Sequence, residues 1–476
     1  MSSEQFLWLN QDAELVLGAS RAAIYDFKSG HVFSLNAVAR QIVTQLLQGA
    51  PLSSLSETES SFVQQLINRE LGEIGSTPSL TPPHRKQQQA PFLPRLKFLW
   101  LELTDSCNLR CVHCYMNATH VSELKSVPAR ARPSLTNRDW MRVIQQGAEL
   151  GCRAVQFTGG EPLLHPDLLA LIDTARQLEY SYIEVFTNGT LLNESLSAQL
   201  KARDVQLAIS LHAVNAVTHD QVTLVPGSYA RAQQSVQMIS KHEIPVRFGT
   251  TTLKTNQNEL FANSPAPQAL RGNNVLRPIG RGANSNLNPD QPQIIESAMK
   301  SAPDFQTSRA SFEYARHWNI CWAGKMAITA SGDVIPCVFG RERVVGNVNQ
   351  ESLHDLISSP NLQSLWGFNK DRVEVCRDCE YRYACSDCRP LAEKLNGELD
   401  AKTARCTYDP YTGEWSKANS SFASLDDDHQ TNSPIVFSVT KIFDRKDPFH
   451  RSEDECDPDR PPSGDEDFTF AFPEAT

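Results

Sequence analysis

The chain has 476 residues, too many for one hydrophobic core, so two or three domains are expected. Hydrophobic residues make up 40 % of it, enough to fold most of its length, and no apolar run reaches the roughly 18 residues that would suggest a membrane-crossing helix. The net charge of −10 is concentrated at one end: residues 426–476 hold fourteen Asp and Glu against five Lys and Arg, which leaves the remainder near neutral and without a basic stripe for nucleic acid.

Residues 6–35 alternate polar and apolar positions with turn punctuation ("FLWLN", "AELVLG", "AAIYDF", "HVFSL"), the pattern of a small antiparallel set. Two helical stretches follow. "NAVARQIVTQLLQG" has Asn36 as N-cap and Gly49 as stop. "SETESSFVQQLINRELG" opens with Ser56 and Glu59 at capping-box spacing. Strands followed by helices make residues 1–75 an α+β module. The five prolines and three glutamines of 76–94 read as a linker. From Lys97 strand and helix patterns alternate. "KFLWLELT", "AVQFT", "YIEVFTN", "VQLAISLH", "VRFGTTTL" and "NVLRPI" are the strands. The helical patterns between them predict parallel βα units over 95–300, closing into an open or partial six-stranded barrel whose ligands sit at the carboxyl ends of its strands. Residues 321–406 are cysteine-rich and read as short and irregular, within a separate domain expected over 315–415. The acidic stretch 426–476 is too poor in apolar residues to build a core and is expected to be disordered, apart from a candidate strand in "SPIVFSVTKIF".

Ten of the twelve cysteines fall in two clusters. The opening "MSSEQFLWLNQDAE" carries no secretory pattern, so a cytoplasmic location is expected, where clustered thiols read as metal ligands before disulfides. Cys152, ahead of "AVQFT", reads as a small buried hydrophobe. The first cluster, Cys107, Cys111 and Cys114, is spaced C-x3-C-x2-C on the loop after the first barrel strand. Three thiolates suit an iron–sulfur cluster with one iron left open; the competing reading is a zinc site with a distant fourth ligand, or with His113 turned inward. At the ends of the next three strands stand "TGGEP" (158–162), "FTNGT" (186–190) and "SLH" (210–212). Gly159 and Gly160 admit close backbone approach, and Glu161 supplies an acceptor for an ammonium group. Four polar segments in register point to one ligand site.

C-x3-C-x2-C with a downstream GGEP on βα units resembles the radical SAM superfamily over residues 96–285. The resemblance implies a [4Fe–4S] cluster on Cys107, Cys111 and Cys114 whose open iron binds S-adenosyl-L-methionine, cleaved to a 5′-deoxyadenosyl radical. It places Gly159, Gly160 and Glu161 on the methionine amino group and Thr187 and Ser210 on the ribose or carboxylate, with Arg277 and Arg281 as further guesses. It also implies an external electron donor such as flavodoxin or ferredoxin.

The second cluster holds Cys321, Cys337, Cys376, Cys379, Cys385, Cys388 and Cys406. "CWAGKMAITASGDVIPC", "VGNVNQESLHDLI" and "CRDCEYRYAC" resemble the SPASM extension, which carries auxiliary clusters, and "CRDCEYRYACSDCRP" with "CTYDPYTGEW" resembles grasp-with-SPASM and thioether-forming peptide maturases. Transfer by position gives one auxiliary [4Fe–4S] cluster Cys376, Cys379, Cys385 and Cys406, and the other Cys321, Cys337 and Cys388 with no fourth cysteine. "GHVFSLNAVARQIVTQLLQG" and "FVQQLINRELGEI" resemble the winged-helix-like domain that recruits a leader peptide by strand addition. The resemblance thus implies an enzyme acting on a ribosomally made precursor peptide, with an ATP-grasp enzyme of the same pathway as a candidate partner. The bond expected is a Cys-to-carbon thioether. The alternatives are a carbon–carbon cyclophane, a sulfatase-maturase-like activity and, outside catalysis, a zinc-binding scaffold.

Overall fold

The structure, a computed structural model, describes residues 4–78, 94–126, 134–259, 274–290, 305–403 and 406–415. Most of the expected linker, the segment 260–273 and the whole acidic tail with Cys456 lie outside these residues.

The N-terminal module begins with β1 (Phe6–Leu9) and continues through β2 (Ala13–Leu17), β3 (Ala22–Asp26) and β4 (Val32–Leu35), an antiparallel sheet in the order β2–β3–β4. Helix α1 (Ala37–Leu47) starts where the Asn36 side chain accepts from Ala39 N at 2.9 Å. Helix α2 (Glu57–Asn68) starts on a complete Ser56–Glu59 capping box. Strand β5 (Gly72–Gly75) returns to pair with β1. Ile24, Val43, Leu46 and Leu71 form the centre of this module's own core.

The second unit is a parallel sheet with helices between its strands: β6 (Phe98–Glu102), α3 (Asn137–Glu149), β9 (Ala154–Thr158), α4 (Leu168–Gln177), β10 (Tyr182–Thr187), α5 (Glu194–Ala202), β11 (Gln206–Ser210), α6 (Ala216–Thr223), α7 (Ser228–Lys241) and β12 (Val246–Gly249). The two-residue strands β7 (Ser106–Cys107) and β8 (Thr119–His120) belong to the cysteine loop. All five residues of β9 are buried, as expected of a parallel strand covered on both faces. Strand β12 breaks at Thr250, and its continuation β13 (Thr251–Thr252) pairs in parallel with the sixth strand, β14 (Asn274–Val275). Cys152 is fully buried, its Sγ directed at Ala154 O.

One expectation needs correcting. The second cysteine segment is not merely short and irregular. Its first strand, β15 (Lys325–Ile328), pairs in parallel with β6, and β16 (Asp333–Ile335) and β17 (Gly346–Asn347) follow antiparallel. The barrel sheet therefore runs to eight strands, β12–β11–β10–β9–β6–β15–β16–β17. Met326, Ala327 and Ile328 are fully buried in it, so the edge that β6 would otherwise leave open is covered.

The N-terminal module is also docked rather than hung on its linker. Ala19 N donates to Asp378 O at 2.7 Å, Ser20 N to Pro410 O at 3.0 Å, and Arg21 Nη1 to Gly413 O at 2.9 Å. The Tyr25 hydroxyl donates to Glu380 O at 2.9 Å, and its ring meets Phe312 of α8 (Arg309–His317) edge-on at 4.8 Å. The chain itself takes part of the β4 edge: Val32 N donates to Phe305 O and Thr307 N to Gly30 O.

Tyr25→Ala is expected to cost about 3–5 kcal/mol, as for other fully buried aromatics, and to expose the N-terminal module to protease under conditions where the wild type resists. Tyr25→Phe keeps the ring and should cost only about 1 kcal/mol. Thermal melts with limited proteolysis distinguish the two.

Candidate active site and metal centres

The cysteine loop leaves β6 at its carboxyl end and is tied down on several sides. Gly160 N donates to Thr104 O at 2.7 Å and Glu161 N to Ser106 O at 2.9 Å. The loop's own N–H groups at Arg110 and Val112 reach Thr223 O and Val222 O at the end of α6. Arg281 donates from Nε to Cys111 O at 2.9 Å and from Nη1 to Ala118 O at 3.1 Å. Gly280, at φ +60°, brings its backbone against the Cys114 and Tyr115 carbonyls, where a Cβ would stand 2.5 and 2.4 Å away.

These contacts place Cys107, Cys111 and Cys114 on one wall of a cavity of about 340 Å³. The facing walls are the strand ends: Thr158, Gly159 and Gly160 after β9, Thr187 and Asn188 after β10, Ser210 and His212 after β11. Arg277 and Phe339 close a further side, the guanidinium 4.5 Å above the ring. Gly159, Gly160, Thr187 and Ser210 thus all face the same space as the three thiols.

Glu161 does not. It is fully buried and accepts three bonds, from Thr187 Oγ1 at 2.5 Å, Asn188 N at 2.8 Å and Leu163 N at 3.0 Å. Burial pushes its carboxyl up to about 7. Its carboxylate is thus engaged by the donors of the strand ends rather than lining the cavity. The groups of this turn that do line the cavity belong to Thr158, Gly159 and Gly160. Besides lining the cavity, the two glycines admit the backbone of Thr104–Ser106, with a Cβ on Gly160 falling 2.1 Å from Ser106 O.

Two residues beside the thiols escaped the sequence reading. Asn188 directs Nδ2 toward Cys107 Sγ at 3.7 Å and donates to Asn108 Oδ1 at 2.9 Å. Its presence in "FTNGT" was the only signal. His212 is 5 % exposed with its ring 4.6 Å from that of His113. Burial lowers both, His113 to about 4, so both rings are neutral.

In the second segment, Cys321 and Cys388 are electrostatic neighbours of Cys337, and Cys385 is one of both Cys376 and Cys379, with Cys406 also close to Cys376. Phe339, two residues beyond Cys337, lines the first cavity and meets Tyr115 edge-on at 5.4 Å.

The thiols fit soft-metal clusters. Burial pushes the Cys107 and Cys337 thiols up to about 12 and raises Cys111 and Cys379 as well, so thiolates here need a cation to hold them. Among the described residues, no three His, Cys, Asp or Glu side chains converge on a point that could hold a single metal ion. A cubane asks for a wider spread, because each thiolate binds a different iron.

Comparison with known proteins bears on the same residues. Residues 101–260 match the radical SAM superfamily, and residues 321–380 match SPASM, an iron–sulfur cluster-binding domain. An AdoMet-dependent heme synthase of Methanosarcina barkeri is 26 % identical over 351 residues, 67 % of this chain and 97 % of that protein. The antilisterial bacteriocin subtilosin biosynthesis protein AlbA of Bacillus subtilis is 27 % identical over 305 residues, 60 % of this chain and 66 % of that one. A GTP 3′,8-cyclase of Petrotoga mobilis is 30 % identical over 270 residues, covering 51 % and 81 %. The chain belongs to the radical SAM superfamily. It is an enzyme of the subset that carries a SPASM domain, and its cofactors are a [4Fe–4S] cluster with S-adenosylmethionine together with auxiliary iron–sulfur clusters. When bound, they supply a 5′-deoxyadenosyl radical able to abstract hydrogen, while the chain orients the reactants and excludes water. A zinc scaffold without catalysis is thereby set aside. No helix among the described residues is long and apolar enough to cross a membrane.

Gly160→Ala should prevent the cysteine loop from seating, lowering the iron retained after reconstitution and the melting temperature together. Gly151, at φ +86° with nothing within 4 Å of the place a Cβ would take, is the control: its alanine variant should cost only about 1 kcal/mol of backbone strain and keep its iron.

Proposed function

We propose that this enzyme modifies a ribosomally made precursor peptide, and that the bond it forms is a thioether between a substrate cysteine and a carbon of the same peptide. In this reading Cys107, Cys111 and Cys114 hold the radical cluster. Cys376, Cys379, Cys385 and Cys406 hold one auxiliary cluster, and Cys321, Cys337 and Cys388 hold another. Thr158–Gly160, Thr187 and Ser210 contact S-adenosylmethionine.

The observation that carries the reading is the shared cavity. Phe339 follows Cys337 by two residues and lines the space faced by Cys107, Cys111 and Cys114. A peptide in that cavity would lie beside the three thiols of the radical source, against a wall supplied in part by the segment that bears Cys337. Cys321, Cys337 and Cys388 would supply three thiolates to an auxiliary cluster, and an iron without a cysteine would be open to a substrate thiol and would favour its thiolate form. Holding the sulfur beside the target carbon supplies orientation in advance. Formation of the sulfur–carbon bond takes a hydrogen atom from carbon, to the 5′-deoxyadenosyl radical, and a proton from sulfur, and leaves one electron that a centre held by the second cysteine segment would accept.

Recruitment fits the same scheme. Strand addition beyond Val32, along Phe33–Leu35, would seat a leader peptide on a sheet that is itself docked on the second cysteine segment, raising the local concentration of the peptide's core. A relative named for bacteriocin biosynthesis supports a peptide substrate, and the presence of this module favours it over a sulfatase-maturase-like role.

Changing Cys107, Cys111 and Cys114 together to alanine should abolish 5′-deoxyadenosine formation while auxiliary iron remains, measured by chromatography and iron analysis. Mass spectrometry of the peptide after anaerobic turnover should show two hydrogens lost per link and a cysteine that resists alkylation. Cross-linking of a precursor whose cysteines are all serine would refute the thioether and leave the carbon–carbon cyclophane. Removing residues 1–75 should weaken precursor binding and spare slow background cleavage of S-adenosylmethionine.

A further inference from the structure

In the second cysteine segment two buried cations share a single carboxylate. Lys370, in the turn Lys370–Arg372, is 8 % exposed, and Arg389, which opens the helix Arg389–Asn396, is 1 % exposed. Both converge on Asp387. Lys370 Nζ donates to Oδ2, and Arg389 donates from Nε to Oδ1 at 3.0 Å and from Nη2 to Oδ2. Arg389 spends Nη1 on the carbonyls of Leu399 and Ala401, each at 2.9 Å. Carbonyl dipoles solvate a cation without cancelling it. Two cations against one carboxylate leave a buried positive charge, which a fold keeps only where another anion completes it.

The position shows which anion. A small cavity is lined by Asn319, Cys321, Lys370, Cys385, Asp387 and Arg389. Cys385 belongs to one group of thiols and Cys321 to the other, and Cys385 and Cys376 act electrostatically on Lys370 beside Asp387. The excess charge stands between the two groups.

We propose that Lys370, held in place by Asp387 and Arg389, is a counter-charge shared by both auxiliary centres that raises their reduction potentials, so that the second cysteine segment accepts the electron left when the product bond forms. This rests on the auxiliary ligand sets given under Proposed function. One-electron reduction adds one negative charge to a centre, and a fixed cation in a low-dielectric interior stabilises that added charge. Lys370 is a positioning residue in this sense: it acts on the potential without touching substrate. A staple that merely held the segment together would leave the potential where it was.

The test is an EPR-monitored redox titration of the full chain carrying Cys107→Ala, Cys111→Ala and Cys114→Ala, reconstituted anaerobically, so that only auxiliary signals remain. Lys370→Met should move the auxiliary midpoint potentials negative. Asp387→Asn, which leaves the cations less offset, should move them positive, and Lys370→Arg should hold them near the parent value. Unmoved potentials in Lys370→Met with parent-level iron would overturn the proposal. If Lys370→Met loses iron, Asp387→Asn decides alone, and a negative or absent shift there overturns it. A parent that retains no auxiliary iron at all would instead defeat the ligand assignment, an outcome that iron analysis separates from the others.

Discussion

The backbone contact between Thr104–Ser106 and Gly159–Glu161 governs the rest of the site. Gly160 N meets Thr104 O and Glu161 N meets Ser106 O, at a separation that leaves no room for a side chain at Gly160. That contact sets the direction in which the cysteine loop leaves β6. It also turns the Glu161 side chain inward, under the end of β10, where its carboxyl collects Thr187 Oγ1 and Asn188 N. Asn188 in turn directs its amide at Cys107. Three strand ends are thereby locked to one another through groups that sequence alone would assign to a ligand. A buried carboxyl with three donors has little freedom to do anything else: removing it would leave each donor unsatisfied, at roughly 1–3 kcal/mol apiece.

Much of this could be read from the chain because the parallel strands are covered on both faces and so appear as apolar runs. The helices of the N-terminal module announce themselves through local chemistry, Asn36 capping α1 and the Ser56–Glu59 box capping α2. What could not be read was set by longer-range geometry. "KMAI" is too short to proclaim a strand, and only its place beside β6 makes it one. Helix α6, with little amphipathic pattern in "AVTHDQVT", is started by Asn215 and held by its packing against α7. Which way Glu161 points depends on the turn at Gly159, whose φ of +131° no residue-type pattern specifies. The side chains named at the cavity wall were chosen by type and position; the role of each was decided by what stood within bonding distance.

The docking of the N-terminal module changes the meaning of its distance in sequence from the barrel. A linker of this composition would let a free module sample a wide volume, yet Tyr25 is fully buried between Phe312 and the backbone at Glu380. Glu380 follows Cys379 directly. The β2–β3 sheet and the loop bearing Cys376 and Cys379 are therefore neighbours in one packed interface, and a strand added to β4 would lie on a sheet that already touches that loop.

The same economy appears where the second segment meets the barrel. Glu102, the last residue of β6, is fully buried and accepts two bonds from Arg341 Nη1, at 2.8 and 2.9 Å, with the Tyr115 hydroxyl at 3.2 Å. A buried pair of this kind adds little net stability over an apolar pair of equal volume, but removing one partner strands a charge and costs about 3–5 kcal/mol. Its value lies in register. Arg341 is four residues beyond Cys337, Tyr115 is one beyond Cys114, and Glu102 ends the strand that both cysteine segments flank. With that carboxylate fixed, the two segments cannot slide past each other, and the wall that Phe339 adds to the cavity is held in register with the wall that bears Cys114.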